Sequence, residues 1–176
     1  SNELTVNGEV IYDAGDGQFT DTSASTETVS GYYNNDVDNA PADPVWDGYD
    51  FEGWSTVQAD TSESEGVTYY YGDVNSPAED VKYTDPATTL YAIWRVATTT
   101  YDVNVWKPVL DGKDLKKDDT TGAVYYEKDT DLSKEAVGGT VGQEVSSANE
   151  VTVPDGYTVA QVQPGDPMTL VKDSEQ

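Results

Sequence analysis

The sequence predicts a mostly β protein (α+β at most) that consists of two small modules in tandem with little helix. First, no stretch of ten or more residues has the i, i+3, i+4, i+7 apolar spacing of an amphipathic helix. Second, Thr, Val, Tyr and Gly dominate, and strands are enriched in three of these types. Third, short alternating apolar segments recur between Gly, Asp and Asn turn residues. A length of 176 residues is enough for one or two domains.

The first half of the chain contains three strand patterns. Residues 4–12 alternate around Asn7-Gly8, a dipeptide typical of hairpin turns, so the sequence predicts a hairpin there. Alternation then places Phe51 and Trp54 on opposite faces of a second strand. Leu90–Trp94 is a nearly continuous apolar run, which predicts a strand with both faces partly covered.

The second half begins after a short polar stretch. Residues 101–106 alternate as a half-buried strand does, and residues 113–122 form a charged loop. A short helix is predicted around Glu144–Ala148, and Met168–Val171 is predicted as the closing strand.

These patterns predict the domain organisation. One module spans residues 3–96, a linker spans 97–100, and a second module spans 101–172. We interpret residues 1–2 as the remnant of a cleaved expression tag and residues 173–176 as a tail.

Composition restricts the function. The net charge of −25 disfavours nucleic acid, because phosphate contacts need a basic surface, and disfavours an anionic membrane surface for the same reason. No apolar run is long enough to insert into a bilayer. Without Cys and His, thiol catalysis, a zinc ribbon and a Ser–His–Asp triad are excluded. Only paired carboxylates remain for catalysis, and no two positions are singled out, so we expect no enzyme.

Three motifs in the first module resemble one family. Tyr12–Phe19 resembles the "DANGG-x-F" opening of Listeria–Bacteroides repeats, the B-repeat type of internalin B. Gly48–Trp54 matches their "GY-x-F-x-GW" signature, and Thr89–Trp94 matches the closing "TLYAxW". The departures are Asp16 and an enlarged segment from Val57 to Asp85. The resemblance implies a β-grasp-like, non-catalytic module in the ectodomain of a bacterial surface protein.

The second module resembles the repeats of mucin-binding proteins more loosely. The matching residues are Gly139–Val145 and the turn Pro154–Tyr157. This resemblance implies a second β-grasp-like module, and we do not take mucin as its ligand.

Four aromatic residues are the candidate ligand-binding residues. Tyr69, Tyr70 and Tyr71 lie in the enlarged segment with carboxylates nearby, and such a set suits a sugar-binding face. Trp106 is the fourth candidate. The alternative is an extra strand or hairpin on the sheet, with Tyr69 and Tyr71 pointing inward.

No cofactor is predicted. Asn34, Asp36 and Asp38 have the spacing of an EF-hand start, but Asn39 and Val45 replace the Gly and Glu that the loop requires. A weak Ca²⁺ site in the acidic loops stays open; its ligands would come from Asp111, Asp114, Asp118 and Asp119, or from Asp129 and Asp131.

We therefore expect a repeat module of a bacterial cell-surface or secreted protein, which acts as an extracellular stalk or spacer. Its expected partners are neighbouring repeat modules of the same chain. Two alternatives stay open: an adhesin module that binds glycans or host surface proteins through exposed aromatic residues, and an accessory domain of a carboxylate-based glycosidase.

Overall fold

The computed structural model describes residues 2–159 and 166–172, which belong to two compact units that divide between Ala97 and Thr98. The predicted mostly β class is confirmed, and within these residues helix is confined to one short turn. The segment predicted as a linker, 97–100, includes the start of the first strand of unit 2. Ser1 and the predicted tail at 173–176 lie outside the described residues.

Unit 1 contains a six-stranded sheet in which the strand from the Leu90–Trp94 run is central. This strand, β6 (Thr88–Val96), pairs in parallel with β1 (Asn7–Asp13) and antiparallel with β3 (Tyr49–Ser55) and β5 (Val67–Gly72). The prediction of a strand partly covered on both faces is confirmed, since Leu90, Ala92 and Trp94 are buried on one face while Ile93 is buried and Tyr91 half-buried on the other. The strands are β1 (Asn7–Asp13), β2 (Thr26–Tyr32), β3 (Tyr49–Ser55), β4 (Gln58–Ser64), β5 (Val67–Gly72) and β6 (Thr88–Val96).

The enlarged segment supplies an extra hairpin at one edge of this sheet. Strands β4 and β5 pair antiparallel, and β5 adds to β6, so the sheet runs β2-β1-β6-β5-β4 while β3 also pairs β6. The chain from 33 to 48 connects β2 to β3 without a helix, so the β-grasp detail is not confirmed in unit 1.

The prediction of a hairpin turn at Asn7-Gly8 is wrong, because both residues lie inside β1. The Glu9 amide donates to the Thr84 carbonyl at 2.8 Å, which brings the backbone of Tyr83 and Thr84 against Gly8. A Cβ atom on Gly8 would lie 2.6 Å from the Thr84 nitrogen. Gly8 therefore permits a close backbone approach and does not form a turn.

Gly8→Ala is therefore expected to destabilise unit 1 by about 1–3 kcal/mol, as overpacking against fixed atoms does. Thermal unfolding followed by circular dichroism would measure it. Gly138→Ala is the matched control, since Gly138 also lies in a strand but has open space where the Cβ would be placed. A loss for Gly8→Ala no larger than for the control would contradict this packing.

Aromatic rings fill the core of unit 1, and they include both Phe51 and Trp54. The prediction that these two side chains lie on opposite faces is wrong, since their ring centroids are 5.2 Å apart. The register with β6 shifts between Phe51 and Gly53, and Gly53 has φ of 133°. This β-bulge returns Trp54 to the core face. The buried members of the core are Val10, Tyr12, Ala14, Phe19, Tyr83, Leu90, Ala92 and Trp94.

The described part of unit 2 contains four separate strand pairs and a small core of Tyr101, Val103 and Leu170. The helix predicted at 144–148 begins later, at Ser147, after a short strand. The predicted closing strand is present but shorter. The pairs are β7 (Thr98–Val103) with β12 (Lys134–Thr140), β8 (Trp106–Pro108) with β11 (Tyr126–Lys128), β9 (Leu110–Asp111) with β10 (Asp114–Leu115), and β13 (Glu144–Val145) with β14 (Met168–Thr169); α1 is Ser147–Glu150.

Candidate functional site

The three consecutive tyrosines lie in β5 and are all half-buried. The expected alternation, with Tyr69 and Tyr71 inward, is wrong in part, because Tyr70 joins Tyr71 against the core. Tyr71 has φ of 72°, and the register with β4 shifts between Ala59 and Thr61. Tyr70 pairs with Trp94 and packs on Tyr49, whereas Tyr71 pairs with Ile93 and packs on Tyr91, so the two neighbours lie on opposite faces of β5 and both still contact the core.

Tyr71 stabilises the turn that follows β1. Its hydroxyl donates to Asp13 Oδ2 at 2.6 Å, and Asp13 Oδ1 accepts from the Gly15 amide at 2.9 Å. The Tyr71 ring also covers Gly15 so closely that a Cβ there would lie 2.8 Å from it. Burial and the bond to Asp13 raise the pKa of Tyr71, so the phenol stays a neutral donor. This contact network assigns Tyr71 a structural task.

Trp106 differs from the other three tryptophans in its exposure. Trp94 is fully buried and Trp46 and Trp54 pack against the core of unit 1, whereas Trp106 is 55% exposed. It begins strand β8, whose residues are not among those of the small core of unit 2.

The pairing register of β8 and β11 places further residues beside Trp106. Trp106 lies opposite Lys128 and Pro108 lies opposite Tyr126, and alternate residues of a strand share one face. These four residues form what we call the aromatic face. Tyr126 is 52% exposed, and its backbone is diagonal to that of Trp106, a spacing of about 7–8 Å. Sequence reasoning missed Tyr126, because only the register of two distant strands brings it next to Trp106.

An ion pair holds the opposite side of the β8–β11 strand pair. Lys107 Nζ lies 2.6 Å from Asp129 Oδ2 and 5.2 Å from the centroid of the Tyr157 ring. Asp129 Oδ1 accepts from the backbone amides of Asp131 and Leu132, each at 2.9 Å. The Lys107 ammonium, followed by these amides, lowers the pKa of Asp129. The aromatic face is thus supported by polar contacts that do not use its own side chains.

Asp129→Asn is expected to lower the melting temperature of unit 2 at pH 7 and to leave it unchanged near pH 2. The folded pKa of Asp129 is depressed, so its contribution to stability is present above the ordinary pKa of about 3.9 and is lost as pH falls through the folded value. Calorimetry at both pH values would test this. Asp131→Asn is the control, since Asp131 bonds to Asp129 through its backbone amide. An equal difference at both pH values would contradict the ion-pair argument.

Several acidic side chains in the loops have protein partners. Asp118 accepts from the backbone amides of Thr121 and Thr120, which lower its pKa, and from the Tyr125 hydroxyl. Asp36 forms an ion pair with Lys82. Within residues 2–159 and 166–172, no group of three or more acidic side chains is placed to hold a metal ion. The weak Ca²⁺ site stays a prediction.

Comparison with protein-family models, with curated proteins and with solved structures finds no match for this chain. No helix in the described part of the chain is both long enough and apolar enough to cross a membrane. The resemblances to the B-repeats and to the mucin-binding-type repeats stay predictions.

Proposed function

We propose that the chain is a non-catalytic repeat module of a bacterial cell-surface or secreted protein, and that it acts there as an extracellular stalk or spacer. The observation that carries the proposal is that the aromatic residues of the three repeat-like motifs pack in the core. Tyr12, Phe19, Phe51, Trp54 and Trp94 all lie in or against the core of unit 1. The motif residues therefore build the fold, as expected for a module whose task is to hold its shape. A β-grasp-like architecture for both units belongs to the same proposal.

The charge distribution supports this role. The net charge of −25 gives neighbouring copies of the chain the same sign, so that they repel one another and stay soluble at high density. Reactive side chains are scarce, since the sequence has neither Cys nor His. Such a chain suits a position exposed to the medium.

An antibody raised against the purified chain tests the location. Intact cells that produce the parent protein are expected to be labelled, and brief treatment of the cells with external protease is expected to remove the label. A cytosolic protein probed in parallel controls for lysis. Labelling that requires permeabilised cells would overturn the extracellular proposal.

A second role, adhesion, is favoured by one observation. Trp106 and Tyr126 share a face and are both more than half exposed. Exposed paired aromatic rings on a small β unit are a typical recognition surface. The spacer and adhesive roles are compatible, because they use different units of the chain.

A further inference from the structure

We propose that the aromatic face (Trp106, Pro108, Tyr126 and Lys128) is a binding site for an uncharged carbohydrate chain. This inference deepens the adhesive role and rests on it, and it is independent of the spacer role. It assigns a ligand class to a surface that the core of the protein does not use.

The exposure of the two rings is the first step of the argument. The described part of unit 1 keeps its three tryptophans buried or packed against its core. On β8 and β11, by contrast, an indole and a phenol lie on the same face of the strand pair, and both residues are more than half exposed. Exposing this much ring surface to water costs free energy that a stacked ligand would recover.

The shape of the face favours a sugar over a protein partner. Each strand of the β8–β11 pair has three residues, and two alternate positions of each strand contribute to the face. A stable protein interface takes about 20–30 residues from each side. The backbones of Trp106 and Tyr126 are diagonal neighbours, about 7–8 Å apart, which is within the reach of one short sugar chain whose C–H faces stack on aromatic rings.

The charges around the face favour an uncharged carbohydrate over a polyanionic one. Six of the nine cationic residues lie between 107 and 134, together with seven acids, so this segment is close to neutral while the chain as a whole carries −25. The surrounding potential repels sulfated or otherwise polyanionic glycans. Lys128 sits on the face, 3.9 Å from Glu135, and its ammonium has donors to spare for sugar hydroxyls. The six lysines are Lys107, Lys113, Lys116, Lys117, Lys128 and Lys134.

Contacts on the opposite side of the strand pair hold the backbone of the aromatic face in place before a ligand binds. The Val105 carbonyl accepts a hydrogen bond from the Asp129 amide at 2.8 Å, and the Val105 amide donates to Ser133 Oγ at 2.9 Å. Lys107 forms an ion pair with Asp129. Both neighbours of Trp106 are therefore fixed by contacts on the other side. A ligand then has little backbone ordering to induce on binding.

The test is affinity electrophoresis of the whole chain through gels that contain a soluble β-glucan, a galactomannan, a xyloglucan or heparin, with fluorescence of the protein measured in parallel. At least one uncharged polysaccharide is expected to retard the chain. Trp106→Ala and Tyr126→Ala are each expected to weaken that binding about tenfold or more, equivalent to about 1.4 kcal/mol. Trp106→Phe is expected to keep most of it, because a stacking ring remains.

Two controls define the face. Tyr125→Ala removes the neighbouring ring, which alternation points to the opposite side and whose centroid lies 5.3 Å from Lys116 Nζ. Tyr32→Ala removes an exposed ring of unit 1. Both variants are expected to bind as the unmodified chain does. Melting curves of all variants confirm that they are folded before binding is compared.

The possible outcomes distinguish failure of the carbohydrate-binding inference from failure of the proposed function. Retardation by heparin alone overturns the uncharged ligand class and leaves the adhesive role in place. Binding that Tyr125→Ala weakens as much as Tyr126→Ala overturns the face. Binding to none of the four polysaccharides overturns this inference, while labelling of intact cells independently decides the extracellular proposal.

Discussion

Trp94→Ala is expected to unfold unit 1 at physiological temperature. Trp94 is fully buried, and its Nε1–H donates to the Ala14 carbonyl at 3.0 Å. Its ring centroid lies 5.6 Å from those of Trp46 and of Phe51. Truncation of a buried Trp to Ala costs about 3–5 kcal/mol because a cavity remains, and the Ala14 carbonyl would lose its partner as well. Whole domains are stable by only about 5–15 kcal/mol.

The measurement is near-ultraviolet circular dichroism during thermal unfolding, since packed aromatic rings dominate that signal. Trp106→Ala is the matched control, because it also deletes an indole but from an exposed position. It is expected to leave the melting of unit 1 unchanged. Trp94→Phe should fall between the two, as it keeps a ring and loses the bond to Ala14. A melting temperature for Trp94→Ala equal to that of the control would contradict this account of the core.

The central strand of unit 1 was predictable because its pattern is local. Leu90–Trp94 carries apolar side chains at successive positions, and a strand bordered on both sides and covered on both faces needs such a run. Gly8 was misassigned for the opposite reason. Together with Asn7 it forms a dipeptide that is typical of turns. The need for glycine at this position comes instead from the backbone of Tyr83 and Thr84, more than seventy residues away. No local pattern contains that approach.

A β-bulge accounts for the error at Trp54. Alternation predicts faces only while each residue pairs with one partner, and the register shift between Phe51 and Gly53 breaks that rule, so Trp54 contacts the core contrary to its parity. The error at the tyrosines has a different cause: Tyr70 pairs with Trp94 and Tyr71 with Ile93, and a local pattern does not say which of these two faces is the core face.

The candidate site was half predictable. Trp106 could be chosen from the sequence as an aromatic residue outside the repeat motifs. Its partner Tyr126 could not, because Tyr125 and Tyr126 are equivalent in a local pattern and only the pairing of Tyr126 with Pro108 distinguishes them. The three tyrosines suggested a ligand site in the sequence, but Tyr71 has a structural role, because its hydroxyl donates a hydrogen bond to Asp13.

Leu170→Ala is expected to have the largest effect in unit 2. Among the described residues, Leu170 is one of three buried members of the unit 2 core, and a Cβ on Gly139 would lie only 2.5 Å from Leu170 Cδ1. Its backbone also exchanges bonds with the 142–143 turn: the Leu170 amide donates to the Gln143 carbonyl at 2.9 Å, and the Gly142 amide donates to the Leu170 carbonyl at 2.8 Å. Loss of a buried Leu side chain costs about 2–5 kcal/mol.

That cost is large for a unit of this size, because small domains bury a smaller fraction of their surface and have little stability in reserve. Leu110→Ala is the control, as Leu110 is 57% exposed and its truncation should change stability by no more than about 0.5 kcal/mol. Urea unfolding followed by NMR signals of Tyr101, which packs in the same core, would measure both. If the two variants unfold at the same urea concentration, Leu170 does not hold unit 2 together. If Leu170→Ala unfolds first and also abolishes retardation by polysaccharide while Leu110→Ala keeps it, the aromatic face requires the folded unit and is not a property of an exposed Trp alone.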